Sequence, residues 1–280
     1  MRYPKFTLKV GAAKPFEALH VSDTHLVFSD GRDNPVKFQI AMRRKGEFEF
    51  RDCGRNLPYF LDALQYAREN NLLLLHTGDL IDFASEQNCE VARKLFELSE
   101  VDYLMCAGNH EYTHYSGQHP ETEEEQAAGR LLVPHYFKNS LFFASRIING
   151  VNLLAVDNGD DQFQEGHIPL LQAEIARGLP IVLLIHVPIY TPELFHLRFA
   201  DTANDNCPFC DCPPENQRGA AANETTRKFL DILRGSGLLK AVLTGHIHLR
   251  TECTVALWDS IPQVVAGAGY YGMGEHLTFV

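Results

Sequence analysis

The sequence predicts an α/β fold in which β-sheets pack face to face and helices lie outside. Three observations point there. Short apolar runs alternate with longer stretches of helical spacing. Several runs, such as LLLLHTG (72–78) and IVLLIH (181–186), are apolar almost throughout, as strands buried on both faces are. Two strand-like runs lie close together at 141–157 and form a β-rich stretch between two αβ portions.

The elements follow in order. FEALHVS (16–22) reads as a strand, 56–70 as a helix, LLLLHTG (72–78) as a strand, 86–99 as a helix and YLMCAG (103–108) as a strand. LFFASRII (141–148) and VNLLAVD (151–157) make the β-rich stretch. A helix at 168–177, a strand IVLLIH (181–186) and a helix at 220–234 come next. In the last of these, Phe229, Leu230, Ile232 and Leu233 supply the apolar face. KAVLTG (240–245), CTVALW (253–258) and PQVVAG (262–267) complete the strands. Residues 27–54 fit neither period and read as turns of mixed charge, with Arg32, Lys37, Arg43, Arg44, Lys45 and Arg51. Residues 191–219, which contain CPFCDCPPENQ, are also irregular. Long irregular segments in a compact domain are as a rule functional or mobile, so 27–54 and 191–219 are expected to rim an active site. With no internal repeat and no low-complexity linker, residues 1–280 read as one domain.

Composition narrows the class. Hydrophobic residues make up 45% and charged residues 22%, the profile of a soluble globular protein. The formal charge of −11 disfavours nucleic acid and anionic membrane as partners, unless a basic patch such as 27–54 acts locally. No apolar run approaches the roughly 18 residues needed to span a bilayer, and the first 20 residues lack the pattern of a secretory signal. Seven cysteines, an odd number in a long chain, do not suggest a disulfide framework, so a reducing cytoplasm is the expected compartment.

Polar residues sit at the strand ends. The first strand finishes in Ser22-Asp23-Thr24-His25, the second in Gly78-Asp79 and the third in Gly108-Asn109-His110-Glu111. Two later strands finish in His186 and in Gly245-His246-Ile247-His248. The carboxyl edge of an α/β sheet is where ligands bind. If the strands continue through them, Asp23 and His25 point the same way, as do His246 and His248. Each residue alone has an ordinary role: Asp79 could cap a helix, Asn109 could sit in a left-handed turn, and His186 could be a satisfied edge histidine. Five strand ends choosing such residue types by chance is far less probable. Asp23, Asp79 and Asn109 offer oxygen, and His25, His186, His246 and His248 offer imidazole. That mixture suits manganese, iron(II) or zinc better than calcium or magnesium. Seven donors suit two ions with one carboxylate bridging.

The series Asp-x-His, Gly-Asp, Gly-Asn-His-Glu, His and Gly-His-x-His, running from Asp23 to His248, resembles the calcineurin-like metallophosphoesterase superfamily. The resemblance implies an αββα sandwich of two mixed β-sheets flanked by helices. It implies that Asp23, His25 and His248 bind a first metal, that Asn109, His186 and His246 bind a second, and that Asp79 bridges them. His110 would be the catalytic histidine, donating to the leaving oxygen, and Glu111 either orients it or is a surface glutamate. The implied activity is two-metal hydrolysis of a phosphodiester or phosphomonoester by metal-bound hydroxide. One branch, the protein serine/threonine phosphatases, carries Gly-Asp-x-x-Asp-Arg-Gly. Here GDLIDFA puts Phe83 and Ala84 in place of Arg-Gly, which favours a small-molecule phosphate ester over a protein substrate. A nuclease on the same centre and a non-enzymatic scaffold remain as alternatives. Cys207, Cys210 and Cys212 have thiolate-site spacing but no obvious fourth ligand, His196 and Cys253 being candidates. A proline-stiffened loop of reduced thiols is the favoured expectation for them.

Overall fold

The structure is a computed structural model and describes residues 3–49, 55–114, 123–199, 209–213, 221–251, 253–258 and 260–280. Its strands are β1 (Lys5–Leu8), β2 (Phe16–Val21), β3 (Leu73–His76), β4 (Tyr103–Met105), β5 (Phe143–Ile148), β6 (Val151–Val156), β7 (Ile181–Leu184), β8 (Leu239–Thr244), β9 (Cys253–Leu257), β10 (Ile261–Val265) and β11 (Glu275–Phe279). Its helices are α1 (Pro35–Glu49), α2 (Asn56–Glu69), α3 (Glu86–Ser99), α4 (Glu123–Leu132), α5 (His167–Ile175), α6 (Pro192–Phe199) and α7 (Glu224–Gly235).

Two mixed sheets form. The first runs β1-β11-β2-β3-β4 and the second β5-β6-β7-β8-β10-β9. In the first, β2, β3 and β4 are parallel neighbours; in the second, β6, β7, β8 and β10 are. Alternation of side chains explains why their sequences are apolar throughout. Val182 and Leu184 face the other sheet, packed with Leu75, Leu104 and Leu277. Ile181 and Leu183 face the helices, packed with Phe229 and Leu233 of α7. Helices α2 and α3 cover the outer face of the first sheet through Phe60, Leu64 and Phe96. The predicted sandwich with helices outside is therefore the one observed.

Segment 27–54 departs from its expectation. It contains α1, started by Asn34, whose side chain accepts the Lys37 N–H at 2.8 Å. The inward stripe of α1 is Lys37, Ala41, the half-buried Arg44 and Phe48, a helical spacing of four, three and four. Two of those positions are cations, so no apolar period shows. Three of its basic residues are engaged internally, whereas Arg43 is exposed beside Glu47 and Arg51 lies outside the described residues. The Lys37 ammonium donates to the Ala84 carbonyl at 2.7 Å, Arg32 pairs with Asp30, Glu86 and Glu90, and Arg44 pairs with Asp82. Segment 191–219 likewise contains α6. Strands β1 and β11, and helix α4, add to the elements expected from the sequence.

Candidate metal centre

The carboxyl ends of β2, β3 and β4 meet those of β7 and β8, and the polar residues of the five strand ends converge there. They do so by an unexpected backbone. Strand β2 stops at Val21 and β8 at Thr244, so neither continues through its Asp-x-His or His-x-His pair. Instead Asp23, His25, Asp79, His246 and His248 all have positive φ, between 48° and 71°. Left-handed backbone at a non-glycine residue is uncommon and clusters at functional sites.

Among the described residues three donor groups result; His25, Asp82 and His110 form one, and the other two are built from the predicted ligands. Asp23, His25, Asp79 and His248 bring ligand atoms within 4.8 Å of one another, and so do Asp79, His186 and His246. Asp79 belongs to both. Asn109 joins the second group, its Oδ1 lying 3.2 Å from His186 Nε2. In the first, His248 Nε2 is 3.1 Å from Asp23 Oδ1 and 3.0 Å from His25 Nε2. In the second, His186 Nε2 is 3.2 Å from Asp79 Oδ2 and 3.1 Å from His246 Nδ1. All seven residues picked from the sequence are thus together.

Hydrogen bonds on the far side of two of the rings fix which nitrogen faces inward. His25 Nδ1 donates to Asp82 Oδ1 at 2.9 Å, and His186 Nδ1 donates to the Thr77 carbonyl at 2.7 Å. In both, Nε2 is the nitrogen that faces Asp79 Oδ2, at 3.6 Å from His25 and 3.2 Å from His186, the orientation typical of a ligating histidine. Asp79 Oδ2 and His246 Nε2, both buried, have no hydrogen-bond partner. Ring nitrogens facing one another, with an unpartnered carboxylate oxygen between, fit cations and do not fit a hydrogen-bonded core.

Electrostatics agree. Burial opposes charge on His186, but Asp79 outweighs it and raises the ring to about 10. Burial likewise works to raise Asp23, yet the hydrogen bond and charge of His248 hold it well below the usual carboxylate range. His25 is lowered to about 4 and His246 to about 3, chiefly by burial. The anionic oxygens draw positive charge, and these two imidazoles stay neutral.

His110 stands at the edge, its side chain 18% exposed. Its backbone N–H donates to Asp79 Oδ1 at 2.9 Å, and its Nδ1 donates to the Asp82 carbonyl at 2.8 Å. A carbonyl only accepts, so Nδ1 carries the proton and Nε2 is the free end. Glu111 is neither the partner of His110 nor a surface residue. Fully buried, it accepts from the backbone N–H groups of Asp79, Leu80, Ile81 and Gly108. Four donors from two loops converge on it because those N–H groups have no strand partner there. The helix after Asp79 is capped by Ser85, which accepts the Asn88 N–H, so Asp79 is not a cap.

Two contributors were not singled out from the sequence. Asp82 was visible within GDLID, three residues after Asp79. Asn158 was not: its Oδ1 accepts the N–H groups of His186 and Val187 and sets the start of that loop. Glycines permit the close approach. A Cβ at Gly108 would collide with Asp79 Oδ1, and one at Gly245 would collide with Ser22 Oγ.

A family model for calcineurin-like phosphoesterases matches residues 16–250. The chain belongs to the calcineurin-like phosphoesterase family. As a calcineurin-like phosphoesterase it is a metal-dependent phosphoric ester hydrolase. Among solved structures, it resembles a dimetal phosphatase from Danio rerio at a TM-score of 0.52 and 13% identity, covering 91% of this chain and 88% of that one. It also resembles a purple acid phosphatase from yellow lupin (Lupinus luteus) seeds at a TM-score of 0.50 and 13% identity. That match covers 95% of this chain and 45% of the lupin chain. At such identity the likeness is one of fold. No curated protein matches this calcineurin-like phosphoesterase significantly in sequence.

Cys210 and Cys212 join none of the donor groups. Cys210 packs with Ile189 and Phe229, whereas Cys212 packs with Leu194 and Phe209 in a different cluster. Among the described residues no potential metal-holding group includes a cysteine. Cys207 lies outside the described residues.

Proposed function

We propose that this phosphoesterase hydrolyses a phosphodiester or phosphomonoester of a small molecule with two divalent transition-metal ions. Asp23, His25 and His248 would hold the first ion, Asn109, His186 and His246 the second, and Asp79 both. The observation that carries this assignment is the membership of Asp79 in both donor groups. When bound, manganese, iron or zinc ions supply charge for the phosphate oxygens and an acidified water.

The chain's own residues supply the rest. Asp82 orients His110 through its carbonyl, which takes Nδ1 and leaves Nε2 for the substrate. His110, protonated at Nε2, donates to the leaving oxygen as the ester bond breaks. Asp79 Oδ1 anchors the His110 backbone, so the proton donor is fixed to the residue shared by both groups. Phe83 and Ala84, in place of Arg-Gly, and the charge of −11 support a small-molecule ester over a protein or a nucleic acid. Seven cysteines in so long a chain fit a cytoplasmic location. No helix among the described residues is long and apolar enough to cross a membrane.

The test is a panel of phosphomonoesters and phosphodiesters offered to metal-reconstituted protein. Metal-dependent turnover that is lost on chelation is expected. Full metal loading without turnover of any ester would leave a scaffold that keeps the fold.

A further inference from the structure

Arg44 stands in a closed circuit of contacts around the first donor group. Its Nε donates to Asp82 Oδ2 at 2.8 Å and its Nη2 to Asp82 Oδ1 at 2.6 Å. That same Oδ1 accepts from His25 Nδ1 at 2.9 Å. The His25 ring stacks on Phe48, with centroids 4.9 Å apart and planes 12° from parallel. Phe48 in turn lies under the Arg44 guanidinium, 4.8 Å from Cζ. Two residues of α1 therefore grip both the ring of His25 and the carboxylate that orients it.

The same aspartate reaches His110. The Asp82 carbonyl accepts from His110 Nδ1, and its carboxylate Oδ1 lies 3.4 Å from that nitrogen. A buried carboxylate between two imidazoles can turn toward either. The bidentate guanidinium, which bonds both oxygens at once, removes that freedom. The seat of α1 is made by the residues that replace Arg-Gly. Phe83 is fully buried and packs with Ala41 and Phe48, while the Ala84 carbonyl accepts the Lys37 ammonium.

We propose that Arg44 is a positioning residue that makes the orientation of His25 and His110 depend on the docking of α1. The centre is then competent only while this helix is seated. The proposal rests on the roles given above to His25 and His110, but its structural part can be read without turnover.

The experiment compares Arg44→Met and Arg44→Lys with the unaltered chain. Nitrogen-15 chemical shifts of the histidine rings, read on metal-free protein, report the tautomers of His25 and His110. In Arg44→Met both rings are expected to leave the single Nδ1–H form, and in Arg44→Lys, which keeps the charge but cannot bond both oxygens, partly so. On reconstituted protein, Arg44→Met should lower kcat about 10–100-fold with little change in KM, the usual effect of removing a residue that orients a ligand or acid. Guanidinium added at millimolar concentration should restore part of that loss. Unchanged ring shifts with unchanged kcat in Arg44→Met would overturn the proposal. Should Arg44→Met fail to fold, Arg44→Lys decides, and wild-type shifts there overturn it equally. An inactive unaltered chain would overturn the phosphoesterase assignment, while the ring shifts would still test Arg44.

Discussion

The buried Glu111 carboxylate accepts the backbone N–H of Asp79 at 2.8 Å through Oε2, the same oxygen that accepts from Gly108 at 2.6 Å. Its other oxygen takes Leu80 and Ile81. Glutamine keeps the shape but turns one acceptor into a donor pointed at backbone donors. Glu111→Gln should therefore lose about 3 kcal/mol of stability, because buried N–H groups go unsatisfied. Urea unfolding measures it; a change under half of that would mean that the loops have other support.

Asp79 is the residue both donor groups share. Asp79→Ala should drop bound metal from about two ions per chain to nearly none. Elemental analysis after reconstitution checks this. Retention of one ion would show that the groups fill independently.

His110 should act through its free nitrogen. His110→Ala is expected to keep metal content and melting temperature but to lower kcat roughly 10²–10⁴-fold on an alkyl ester. The loss should be smaller on a nitrophenyl ester, whose leaving oxygen needs little protonation. Equal losses on both would assign His110 to charge stabilisation at phosphorus instead.

His167 belongs to no donor group and is buried against Phe142, Phe163 and Phe229. Burial lowers it to about 4 from 6.5. The folded state thus prefers the neutral ring. The resulting stability is fully present above pH 6.5 and is lost as pH falls toward 4. At pH 5 the loss should be about 2 kcal/mol, at 1.36 kcal/mol per unit. The comparison is the unfolding free energy at pH 7.5 and pH 5, in the chain and in His167→Gln. The same pH dependence in both would exclude His167 as its source.

The candidate centre was legible because the residue types themselves mark it. Asp23, His25, Asp79, Asn109, His186, His246 and His248 each follow an apolar strand, and the structure brings them together. Their conformation was not legible. Spacing of two suggests a continuing strand, whereas the left-handed turns at Asp23 and His246 are set by contacts from distant loops, such as the His246 N–H donating to Asp23. Helix α1 stayed hidden because Lys37 and Arg44 occupy its inward face, and a cation turned inward by pairing looks in sequence like a solvated one. Strand β11 stayed hidden for a similar reason. It opens with Glu275 and His276, both buried, and Glu275 is paired with His20 across the sheet at 2.9 Å.

The two donor groups that contain Asp79 each draw from both sheets. The first joins Asp23, His25 and Asp79 to His248 of the opposite sheet, and the second joins Asp79 to His186 and His246. His25 and His248 are 223 residues apart in the chain, so neither group exists until the sandwich has closed. A cation held there acts as a rivet through two plates. Prying the sheets apart means surrendering the ion, and an ion present at about a hundred times its dissociation constant adds about 2.7 kcal/mol to that effort. The melting point of the whole molecule thereby becomes a gauge of the free metal around it.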